Sequence, residues 1–201
     1  MLNGASSLPC LASSDRTTLA PRLLRRAVRQ VALLRAASAG LAHAPTLDDR
    51  IGIAERVRED LMQLERTAHA YADLTNANLL TDAERCVADL SFPASWFEAS
   101  IAQLLLCLAA QLELREQPRL AEPLEASERY ALAGATEHLH AARAALYELD
   151  GTSPEARTLA DQLIARWLRL ALATLEDGGV RERYLRALAQ ELAPLGVSLG
   201  V

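Results

Sequence analysis

Lysine is absent from this 201-residue sequence, so all 21 basic residues are arginine. Without a lysine amine the chain cannot form a Schiff base, use a lysine general base or supply the lysine of a phosphate-binding loop. Aromatic residues are scarce, at two Trp, four Tyr and two Phe, and nine Gly with eight Pro leave little for linkers or fibrous repeats. Strand-forming aromatics are therefore too few for an all-β domain. The three cysteines, Cys10, Cys86 and Cys107, are odd in number, far apart and set among Ala and Leu. That spacing fits neither a disulfide framework nor a zinc site.

Long apolar runs are missing too. The longest nearly apolar stretch runs from Ala99 to Ala110 and is broken by Gln103, whereas a membrane-spanning helix needs roughly 20 such residues. The first fifteen residues, MLNGASSLPCLASSD, have no basic start and no sustained apolar run, which does not fit a secretory signal. The expectation is a cytoplasmic protein without a membrane contact.

Ala, Leu, Arg and Glu dominate, with 51% apolar and 23% charged residues, the composition of long packed helices in one globular domain. We expect a flexible segment over residues 1–15 and a single helical domain over 16–201. The net charge of −5 is uneven: residues 1–44 hold six Arg and one acid, leaving the remainder strongly acidic. A nucleic-acid partner is not expected from that balance, and no helix-turn-helix reader is evident.

Helix signals recur along the chain. Leu23, Leu24, Ala27, Val28, Val31 and Leu34 predict a helix from about Thr18 to Ala39, with Pro21 near its start and Gly40 after its end. Its polar side carries Arg22, Arg25, Arg26, Arg29 and Arg35. Two readings suit that arginine face: a solvated surface, or a surface that docks an acidic partner or the phosphates of a coenzyme A thioester, with Arg25, Arg26 and Arg29 the residues to test. Thr46 and Asp49 form a capping pair for a second helix ending near Leu74, with Val57, Leu61, Leu64, Ala68 and Tyr71 at alternating spacings of 4 and 3. Thr81 with Glu84, and Ser95 with Glu98, read as two further capping boxes. The second opens a helix to about Gln117 that is apolar around most of its circumference, as a central buried helix would be.

A long helix is expected from Leu124 to Leu149 on the seam Leu132, Ala135, Leu139, Ala142, Leu146 and Leu149. Two more follow, one opening at Ser153–Pro154 and ending before Gly178–Gly179, the other over about Arg181 to Leu192. Seven helical segments with short connections predict an all-α antiparallel helical bundle. Trp96 and Trp167 read as anchors that fill wide gaps in such a bundle.

Bundle enzymes with two metals place carboxylates and Glu-x-x-His pairs on facing helices. The literal match here, Glu137-x-x-His140, points away from the seam of its helix and reads as solvated surface. His138 lies at the seam border, with Ala135 three residues before it and no ligating atom there. Asp60 and Gln63 occupy the equivalent border positions of the second helix, while Glu59 and Met62 point outward. His138 reads either as the remnant of a metal site or as a partly buried imidazole bonded to a carboxylate across the bundle.

The segments HAPTLDDRIGIAERVREDLMQLERTAHAYADL, FPASWFEASIAQLLL and PLEASERYALAGATEHLHAARAALYELDGTSPEARTLADQLIARWLRLALATLE resemble the phenylacetic acid catabolic protein family of ferritin-like bundles. The similarity spans about residues 20–192, and its most specific parts are HAP before an acidic helix start, the PL-to-HL spacing and the LDGT turn before a Trp-containing helix. The resemblance implies a phenylacetyl-CoA epoxidase-type assembly, in which a catalytic di-iron subunit pairs with a related subunit that has lost its metal ligands. In that register the two Glu-x-x-His motifs fall on Asp60–Gln63 and Ala135–His138. Three of those four positions have changed, which resembles the metal-free structural subunit, although this chain is shorter at its C-terminal end.

The leading expectation is an accessory or structural subunit with a degenerate di-iron site and no cofactor or catalytic residues of its own. Its expected partner is a further copy of itself or a catalytic ferritin-like homologue. The alternative is an active di-iron monooxygenase or hydroxylase with an irregular ligand set, drawing on Asp60, His138 and Glu59, Glu98 or Glu137. A third reading, without family content, is a helical ligand-binding or dimerisation module.

Overall fold

The computed structural model describes residues 13–116, 140, 154–175 and 178–193. Among these residues every regular element is a helix: α1 (Ser13–His43), α2 (Leu47–Thr75), α3 (Leu79–Cys86), α4 (Trp96–Glu116), α5 (Pro154–Ala173) and α6 (Gly178–Leu192). The expected all-α bundle is what forms. The expected helix over 124–149 lies outside the described residues, apart from His140, which is helical and exposed as expected.

Central position falls to α4, as its pattern requires. Every residue from Ala99 to Ala109 is buried, and α4 packs against α1, α5 and α6. By length and composition Trp96–Arg115 could cross a membrane, but 83% of that window is buried inside the fold, so its apolar surface meets other helices. Around it Leu23, Val31, Leu105, Trp167, Ala171, Tyr184 and Leu188 join one continuous core. A satellite cluster of Ala37, Ala44 and Ile53 sits under the α1–α2 corner, with Trp96 packed against it. Both tryptophans therefore anchor packing as expected, Trp167 with no exposed surface at all.

Several boundaries differ from the sequence pattern. The first helix begins at Ser13 and runs through Gly40 to His43, so Pro21 lies inside it. Gly40 continues the helix because this turn lies against α4: a Cβ there would stand 3.3 Å from Ala99 Cβ and 3.4 Å from Trp96 Cζ3. A glycine read as a stop is thus a point of close helix–helix approach. The α2 capping box at Thr46 and Asp49 forms as expected, and the helix closes on Asn76 in the left-handed region at φ 57°.

The start of α3 is a correction. Asn78, not Thr81, is its N-cap, with its side chain accepting from the Leu80 and Thr81 N–H groups, and the helix ends at Cys86. At α4 the Ser95 hydroxyl accepts from the Glu98 N–H as a cap should, but the Glu98 carboxylate accepts from the Ala94 N–H instead of closing the box on Ser95. The α2 seam is also rotated from the expected one. Leu61 is 53% exposed, and the buried line runs through Ile53, Leu64, Thr67, Ala70 and Tyr71, because α1 and α3 flank α2 on a side that apolar spacing alone does not identify.

Candidate functional site

The polar groups inside the bundle gather around α4. Glu98 and Glu113, near its two ends, are both buried, and each carboxylate meets an arginine from another helix. Glu98 accepts from Arg166 Nη1 at 2.6 Å and from the Trp167 indole Nε1 at 3.3 Å. Arg166 also donates to the Ser91 carbonyl at 2.9 Å, so one guanidinium joins α5, α4 and the segment before α4. In the first turn of α4, Glu98 further gains from the positive end of the helix dipole.

At the other end Arg29 of α1 donates to Glu113, and its Nη1 lies 3.3 Å from both the carbonyl and the hydroxyl of Thr174. Thr174 follows the last turn of α5, where carbonyls lack helical partners, so the guanidinium meets a carboxylate and the negative end of a helix together. Burial, followed by the charges of Arg26 and Arg25, pushes Arg29 down to about 9. It is still cationic at neutral pH. Tyr184 donates its hydroxyl to the Leu105 carbonyl at 3.2 Å, and burial pushes that phenol above its ordinary range.

At Arg26, Arg29 and Arg35 the arginine face is not a solvated surface. Arg26 and Arg29 are buried at 8% and 2% exposure, and Arg35 donates to the Val87 and Leu90 carbonyls while lying over the Phe92 ring. The reason is position: α1 is flanked by α2, α3 and α4, so the guanidinium groups of Arg29 and Arg35 reach acceptors inside the fold before they reach water. Long stems with terminal charges make this possible where a shorter cation would stay unsatisfied.

The expected remnant of a metal site is only half within view. Ala135, His138 and Glu137 lie outside the described residues. Asp60 and Gln63 are half-buried on α2, and Glu59 and Met62 are exposed, as their spacing implied. Burial, reinforced by Glu59 and opposed by Arg56, raises the Asp60 carboxyl to about 7. Asp60 also lies close enough to Cys107 to raise that thiol, although burial is the larger cause. A thiol held protonated in this way is not a nucleophile.

Such a donor set does not fit two irons. Bundle centres surround each metal with several carboxylates and imidazoles, whereas Asp60 and Gln63 supply one carboxylate and one amide. Glu98 and Glu113 stand beside guanidinium cations, and Ala135 has no ligating atom. Among the described residues no three His, Cys, Asp or Glu side chains stand together as a metal site. Glu98 therefore does not converge with Glu59 and Asp60 as an irregular ligand set would require. What the sequence reading missed, the commitment of Glu98 and Glu113 to arginines, had one visible signal: two acids bounding a stretch free of acids in an arginine-rich chain. No family model matches this sequence, and neither does any curated protein.

Asp60 makes stability depend on pH. A carboxyl whose folded value of about 7 lies above its ordinary value of 3.8 takes up a proton on folding, so its contribution is most favourable below about pH 4 and is lost as pH rises through 7. Asp60→Asn removes that loss, and urea unfolding should find the variant more stable by about 2 kcal/mol at pH 8 and indistinguishable at pH 4, the full linkage being reduced by partial solvent access. Equal stabilities at pH 8 would mean the carboxylate is fully compensated where it stands.

Proposed function

We propose that this protein is a non-catalytic accessory or structural subunit of ferritin-like type, akin to the metal-free subunit of a phenylacetyl-CoA epoxidase-type oxygenase. It serves a homo-oligomer or stands beside a catalytic homologue. The observation that carries this reading is the pairing of the two buried α4 carboxylates with arginine, Glu98 with Arg166 and Glu113 with Arg29. In a di-iron bundle the interior acids neutralise metal charge; here the buried acids Glu98 and Glu113 are neutralised by guanidinium groups and serve as inter-helix ties. The sequence resemblance, with Gln63 and Ala135 at two ligand positions, points the same way.

Elemental analysis of protein expressed with added iron and purified without a metal-affinity tag tests it. The expected content is well below one iron per chain in a folded helical sample. About two irons per chain, with oxygen consumption in the presence of an electron donor and an aromatic acyl-CoA thioester, would overturn it in favour of the oxygenase.

A further inference from the structure

The outward side of α2 is unlike the rest of the described surface. Leu47, Ile51, Ala54, Arg58, Leu61, Glu65, Ala68 and Ala72 recur at spacings of 4 and 3 along one line of the helix. Leu47 is 71% exposed, Ile51 49%, Leu61 53% and the adjoining Met62 48%. Beside them Arg58, Leu61, Met62, Glu65 and His69 border an open groove of about 1180 Å³, closed at one end by Asn78 and Leu80 at the start of α3. Four large apolar side chains exposed along one helix face, interrupted by only two charges on the same line, are more than a surface that faces only water usually groups together.

The two charges in the line decide what it fits. Arg58 and Glu65 are exposed, and they lie equally far on either side of the midpoint between Leu61 and Met62. We infer that the outward face of α2 is the contact between two copies of this chain, packed antiparallel about a two-fold axis passing between Leu61 and Met62. Such an axis sets Arg58 against the partner subunit's Glu65 and Glu65 against the partner subunit's Arg58. A parallel pairing in register would set like charge on like charge, so the pattern itself selects the antiparallel arrangement. At the axis Leu61 meets the partner subunit's Met62 and Met62 the partner subunit's Leu61, and Ile51 comes opposite the partner subunit's Ala72. The groove beside α3 receives these side chains. The inference does not rest on the proposed function, since a metal-binding chain could pair through the same face.

Sedimentation velocity and light scattering on the full chain test it. The wild type should sediment as a species of twice the 21.8 kDa chain mass. Arg58→Glu and Glu65→Arg each place two like-charge contacts across the axis, and each should weaken dimerisation by about ten-fold or more, with helical content unchanged. The double variant R58E/E65R restores opposite charges and should recover most of the wild-type dimer. A wild type that stays monomeric at about 100 µM overturns the inference, that being weak for a self-complementary interface. A dimer indifferent to both single variants overturns it as well. A monomeric wild type whose stability falls on Leu61→Arg also refutes the pairing. Metal content enters none of these readouts, so failure here is separate from failure of the accessory-subunit reading.

Discussion

Arg29→Met should destabilise the protein by about 3–5 kcal/mol, the range for breaking a buried ion pair by removing one partner. The substitution keeps a stem of similar length in the core, so the loss is chiefly electrostatic. Glu113, itself 3% exposed, would lose its guanidinium partner, and the Thr174 carbonyl and hydroxyl would lose their donor. Urea denaturation at pH 7 measures the effect. Glu113→Gln should also be costly, because it leaves the Arg29 charge in the core with only dipolar partners. The decisive comparison is the double variant R29M/E113L. With both charges gone, its loss should be well below the sum of the two single losses, since a matched pair replaced by apolar groups can be nearly neutral. Additive losses would mean that the two side chains act through separate contacts.

Trp167→Ala should cost about 3–5 kcal/mol, as for other large-to-small aromatic substitutions in a packed core. Trp167 is fully buried, contacts the central cluster and donates its indole N–H to Glu98. Trp167→Phe separates these contributions. It retains most of the apolar volume while deleting the donor, and the expected loss is about 1–2 kcal/mol. Arg166 still holds Glu98 in that variant, so the carboxylate keeps its charge partner. Thermal or urea unfolding of the two variants in one buffer measures the difference. A Phe variant as unstable as the Ala variant would mean that the hydrogen bond, not the packing, is the main contribution.

These two sites share a design in which α4 is tied at each end by a charged contact and filled between them by Leu, Ile, Ala and Cys107. The arrangement gives an apolar helix a defined position. Hydrophobic burial specifies axial register less sharply than a charged contact does, because apolar side chains of similar volume can replace one another at modest cost. Glu98 with Arg166 and Glu113 with Arg29 each have one geometry in which their donors and acceptors are satisfied. We expect Glu98→Gln and Glu113→Gln to reduce cooperativity as well as stability, seen as a lower denaturant dependence of the unfolding free energy.

The helices themselves were legible in the sequence wherever the signal was local. The Thr46–Asp49 box, the near-uniform apolar character of Ala99–Ala110 and the Pro154 start each depend on residues within a few positions of one another. So did the outward placement of Glu59, Met62 and His140. What failed did so at contacts between distant segments. Gly40 read as a helix end because nothing in its neighbourhood announces that Trp96 and Ala99 press against it. The Arg25, Arg26 and Arg29 face read as a surface because an arginine is polar in any local pattern, and only the position of Glu113, 84 residues away, makes Arg29 an interior residue.

The sequence by itself determined the fold class and the central helix, since these follow from composition and periodicity. Only the tertiary structure decided which side of α2 is buried, where Arg29 goes and what Glu98 and Glu113 do. Those outcomes depend on the pairing of charges and close approaches between helices far apart in the chain, and a desolvated carboxylate is tolerable only where a particular cation arrives to meet it.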